Sequence, residues 1–154
     1  MKKIKLWVKH TVLLTILAGL WLASGVANCR ATESTNELGT LDGNWKMVSL
    51  EQRGNKASAA SITNYMLAVK GNQWTVTQSK AKVTYTFKLD DSTAPRQLDL
   101  IMSSARGESV SKGIYKLEGD TLTLCRTIGN RERPREFKTT SSAGILVVWQ
   151  REGK

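Results

Sequence analysis

The chain has 154 residues, 40% of them apolar and 23% charged, with 2 prolines and 12 glycines. That length suits one domain, and the composition excludes collagen-like, low-complexity and largely disordered chains. The formal charge is +10, from 23 basic and 13 acidic residues, and the single histidine is His10.

Basic residues open the chain. Lys2, Lys3, Lys5 and Lys9 precede an uncharged, mostly apolar run over 11–23, and the small residues Ser24, Gly25, Val26 and Ala27 follow. Basic, apolar and small segments in that order read as a secretory signal peptide over 1–27, with a helical core. The apolar run falls short of the roughly 20 residues that a membrane-spanning helix needs. Gly25 and Ala27 favour a cut after Ala27, whereas Cys29, preceded by Asn28, offers lipidation as the alternative. The product is therefore expected in the periplasm, cell envelope or extracellular space, attached to a membrane only through a lipid on Cys29. Cleavage would keep 19 of the 23 basic residues against all 13 acids. Such a surface suits anionic envelope polymers or lipid headgroups better than nucleic acid. Cleavage would also remove His10, leaving no imidazole for a Ser-His-Asp or Cys-His mechanism or for a His-ligated metal. No catalytic residue, cofactor or metal site is expected.

Residues 28–40, NCRATESTNELGT, are polar and aperiodic and read as a tether, with the folded domain expected over 41–152. Eight β-favouring runs follow, at 43–52, 65–70, 73–79, 82–89, 97–103, 112–118, 121–126 and 145–151. Their spacing and the turn residues between them are those of an all-β barrel or sandwich. Over 82–89 polar and apolar residues alternate without a break, so Val83, Tyr85, Phe87 and Leu89 are expected to face a core. Gly71-Asn72 and Gly119-Asp120 each separate two runs by two residues, which predicts two antiparallel hairpins. The stretch 54–64 lacks alternation and has room for one helical turn, and 134–140 is expected to add a short ninth strand around Phe137. Eight sequential antiparallel strands favour an up-and-down barrel, because closure removes both exposed edges.

The opening Leu41-Asp42-Gly43-Asn44-Trp45-Lys46 contains the Gly-x-Trp of lipocalins. Gly113-Ile114-Tyr115-Lys116-Leu117-Glu118-Gly119-Asp120-Thr121-Leu122-Thr123-Leu124-Cys125 and Arg133-Pro134-Arg135-Glu136-Phe137 extend the pattern. Together these resemble the lipocalin-like uncharacterised domain family abundant in planctomycete bacteria, over nearly all of 41–152. The resemblance implies an exported lipocalin-like, calycin-type barrel with no known catalytic residues. It also implies that Trp45 closes one end of the barrel with a basic residue of the last strand, here Arg151, packed across its indole.

An eight-stranded barrel is either just filled by its side chains or holds one small ligand, and both outcomes stay open. Candidate cavity residues are Leu67, then Trp74 and Val76, then Tyr85 and Phe87, Leu100, Tyr115 and Leu117, and finally Leu122 and Leu124. Val69, Leu98 and Val147 share the inward face, and the 54–64 loop would cover the open end. Trp45, Trp74 and Trp149 all fall within runs, which suits packing rather than sugar stacking. Arg126, Arg131, Arg133, Arg135 and Lys138 form a basic loop between the last two runs, either meeting an anionic polymer or pairing with Glu132 and Glu136. Cys125 is expected to be an inert thiol, with a Cys29–Cys125 disulfide as the alternative. The sequence thus describes an exported, monomeric, non-catalytic barrel for a small apolar or amphipathic ligand. The rival reading is a solid barrel whose basic loop contacts an envelope polymer or a partner protein.

Overall fold

Residues that bury one side chain and wet the next recur along strand after strand, and they close into a barrel. A computed structural model of the chain describes residues 34–129, 131–140 and 144–153; the signal segment and Cys29 lie outside the described residues. In chain order the elements are α1 (Ser34–Leu41), β1 (Gly43–Gln52), β2 (Asn55–Lys56), α2 (Ala59–Ile62), β3 (Tyr65–Lys70) and β4 (Gln73–Gln78). They continue with β5 (Ala81–Asp90), β6 (Arg96–Ser104), β7 (Gly107–Glu118), β8 (Thr121–Arg126) and β9 (Ile145–Arg151). Strands β1 and β3 to β9 pair antiparallel with their neighbours, and β9 returns to pair with β1. The result is a closed eight-stranded barrel, with β2 as a short extra strand folded back on the end of β1.

Turn chemistry sets the meander. Lys70 pairs with Gln73 and Glu118 with Thr121, leaving two-residue turns in which Gly71 and Gly119 both take φ +57°, a conformation only glycine adopts at little cost. Strand β1 carries a bulge between Met47 and Ser49. The extra residue leaves Val48 outside, 49% exposed, and lets Trp45, Met47 and Leu50 all reach the interior.

Three sequence expectations are corrected. Residues 34–40 are not part of a tether: they are helical, and α1 delivers Leu41, fully buried, and Leu38 to the core. No strand forms around Phe137. The segment with Pro134 instead lies outside β7 and β8, where Lys116 stands 5.8 Å from the Phe137 ring centroid. Strand β7 begins at Gly107 rather than Lys112, because Gly107–Ser111 pair with Leu100–Ser104 in a longer hairpin. The single helical turn expected in 54–64 is α2, capped by Ser58, whose side chain accepts from the Ser61 amide.

One end of the barrel is shut by a few residues from distant parts of the chain. Trp45 is fully buried and donates Nε1–H to Leu41 O at 3.1 Å. Arg151, its ladder partner, lies over the indole with its guanidinium carbon 4.0 Å from the ring centroid. The same guanidinium donates to Asp42 O at 2.6 Å and Thr40 O at 2.7 Å, with Nε 3.3 Å from Asp120. A weakly hydrated planar cation is suited to both tasks at once. Arg151→Ala should cost about 1.5–4 kcal/mol, from a cation–π contact of about 0.5–1 kcal/mol and two exposed hydrogen bonds of about 0.5–1.5 kcal/mol each. Arg151→Lys should recover less than half of that, because an ammonium has no fork; urea unfolding of the three proteins checks both values.

Candidate functional site

At the shut end the interior is solid. Leu67, Leu98, Leu122 and Tyr115 are at most 1% exposed, and Phe87 meets Trp74 edge to face with centroids 5.9 Å apart. At the other end β1, β4, β6 and β8 finish while β3, β5, β7 and β9 begin. There the inward positions are Gln52, Gln78, Ala81 and Val83, too short or too polar to fill the space. A cavity of about 280 Å³ results. Its apolar floor includes Met47, Leu100, Leu124, Val147 and Trp149, and its polar rim includes Gln52, Gln78, Tyr65 and Arg126.

Of the ten candidate cavity residues, Trp74, Val76, Tyr85, Leu100 and Leu124 line this space. Leu67, Phe87, Tyr115, Leu117 and Leu122 belong to the packed core instead. Val83 has the inward parity expected of it but stands at the mouth, 40% exposed. Sequence reasoning missed Met47, which keeps the inward parity of Trp45, missed Leu50, which the β1 bulge turns inward, and missed Arg126. The signal for Arg126 was present: it continues the alternation of Leu122 and Leu124 along β8.

Arg126 is therefore not in the basic loop. Gly113 sits opposite it in the ladder, where a Cβ would meet Leu98 O at 2.9 Å and Arg126 Cβ at 3.1 Å, so glycine at that position keeps the space clear. The guanidinium Nη1 donates to Ser111 Oγ and Thr127 O, both at 3.3 Å. Burial lowers the Arg126 pKa, and the nearby Tyr85 phenol acts in the opposite sense.

The remaining loop cations are dispersed. Arg133 forks onto Asp99, with Nη1–Oδ1 2.5 Å and Nη2–Oδ2 3.0 Å, and Nη1 also donates to Gly113 O at 2.6 Å. It pins the 131–140 segment to the outside of the barrel. Arg131, Arg135 and Lys138 are exposed. Under that segment β7 and β8 are covered on their outer face too: Ile114, Thr123 and Cys125 are buried. Thr139 donates to Glu51 and accepts from the Gly54 amide, tying the segment to the β1–β2 turn. Among the described residues no group of His, Cys, Asp and Glu is placed to hold a metal ion.

Cys125 is a free, fully buried thiol whose Sγ lies 3.5 Å from Lys138 O. Burial raises its pKa above the ordinary 9.0, Glu51 adds to the rise, and the Lys138 contact opposes it. Comparison with protein-family models, with curated proteins and with solved structures finds no match for the chain.

A thiol kept neutral in the fold but free to ionise when unfolded stabilises the native state fully below pH 9.0 and less as pH rises through its raised native value. The unfolding free energy should accordingly fall more steeply above pH 9.0 in the natural protein than in Cys125→Ala. Parallel pH profiles in chemical denaturation would contradict this.

Proposed function

We propose that this protein is an exported, lipocalin-like carrier that holds a small amphipathic molecule inside its barrel without transforming it. The observation that carries the reading is the division of the interior, solid at the shut end and hollow at the other, with apolar walls below and polar groups at the rim. Such a space gains from burying a ligand's apolar part, about 25 cal/mol per Å², while the rim keeps the polar part wet. The eight-stranded closure and the Arg151–Trp45 stack support the lipocalin-like assignment. The basic, apolar and small segments of residues 1–27 support export.

The rival reading, a solid barrel acting through a basic loop, is weakened by two placements. Arg126 lines the hollow interior and Arg133 is engaged by Asp99.

The carrier reading predicts a saturable one-to-one complex when the full-length chain is incubated with a cell-envelope lipid extract and examined by native mass spectrometry. Val83→Phe places a ring in the mouth at a site that is already 40% exposed, so it should leave the melting temperature nearly unchanged. It should weaken binding about tenfold, equivalent to about 1.4 kcal/mol. Recovery of bare protein alone would sink the carrier reading.

A further inference from the structure

The cavity wall is electrically one-sided. Among the described residues Arg126 is the only charged one that lines it, and no carboxylate does. The two hydrogens of Nη1 go to Ser111 and Thr127, whereas Nε and Nη2 have no acceptor among the described residues. That edge is the part of a guanidinium that takes a carboxylate through two parallel hydrogen bonds. A wall with one positive charge, a free guanidinium edge and, among the described residues, no carboxylate is complementary to an anion.

From this we infer that the ligand is an amphipathic monocarboxylate, with its carboxylate on the Nε/Nη2 edge of Arg126 and its hydrocarbon part over Leu124, Val147 and Trp149. The inference rests on the carrier reading and names its ligand class. A single negative charge matches a single guanidinium, whereas a phosphate monoester brings close to two. The volume of about 280 Å³ accommodates on the order of ten non-hydrogen atoms, taking the ~30 Å³ that a water occupies in the liquid as the measure. A medium-chain acid is of that size. Partial burial of Arg126 strengthens the pairing, because a charge pair is screened less away from bulk water. It also leaves the free protein with an uncompensated cation that the ligand would neutralise.

Calorimetric titration of the full-length chain with octanoate, octanol, octylamine and octyl phosphate tests the assignment, since the four share a tail and differ in the head. Octanoate is expected to bind about 10- to 100-fold more tightly than octanol, and octylamine should not bind measurably. Arg126→Gln should remove the preference for octanoate over octanol, and Arg126→Lys should retain only part of it. The comparison of the four ligands on the unaltered protein decides the matter even if a variant does not fold. Equal binding of octanoate and octanol, or octanoate affinity that survives Arg126→Gln, would overturn the carboxylate assignment and leave the carrier reading standing. Preference for octyl phosphate would overturn the monocarboxylate in favour of a doubly charged head. Failure of all four ligands, together with bare protein from the lipid extract, would remove the carrier reading and this inference with it.

Discussion

The pairing of the last strand with the first is the constraint from which the rest of the structure follows. Antiparallel strands joined by short turns form a sheet with two bare edges, and only the return of β9 to β1 removes them. Arg151 pins that return. Its guanidinium lies on Trp45 and takes the carbonyls of Thr40 and Asp42, so one side chain joins the start of β1, the end of β9 and the chain leaving α1. With that end shut, the barrel has an inside, and every inward residue acquires a depth as well as a face.

Depth separates packing from binding. Near the stack the inward side chains are large and interlock, as Tyr115, Leu122 and Leu67 do. Toward the other end they shorten to Val83 and Ala81 or become polar, as at Gln52, Gln78 and Arg126. Atoms in a core are held by contacts on all sides, and once the inward chains no longer span the barrel those contacts cease and a cavity opens. The 131–140 segment adds a layer outside β7 and β8, held by the Arg133–Asp99 fork. That layer accounts for a β8 that is buried on both faces.

Much of the wall was legible along the chain. Unbroken alternation over 82–89, the two-residue turns at Gly71 and Gly119, and the Gly-x-Trp that opens β1 are local signals, and local backbone preference is enough to produce them. The candidate site was half legible. Alternation along a strand says which side chains point inward, so Trp74, Val76, Tyr85, Leu100 and Leu124 were found together with core residues of the same parity. Nothing along a strand tells the two groups apart, since that requires knowing which strand ends meet at which end of the barrel. Arg126 was misplaced for a related reason: a charged residue after the last leucine of a run resembles the start of a loop, although it keeps the inward parity of β8. Leu50 was missed because a bulge shifts the period by one residue, and residues 34–40 because short polar helices show no apolar stripe.

The eight barrel strands, the two-residue turns at Gly71 and Gly119 and the facing along the unbulged strands are properties of neighbouring residues, set by period-two side-chain geometry and by the positive φ that glycine tolerates, and the sequence alone determined them. Which inward residues pack and which leave a hollow was decided only by the tertiary structure, as were the inward course of Arg126 and the engagement of Arg133 by Asp99. Each depends on contacts between residues remote in the chain, such as Arg126 with Ser111 and Arg133 with Asp99. Those contacts exist only once the sheet has closed and brought the strands to a common depth.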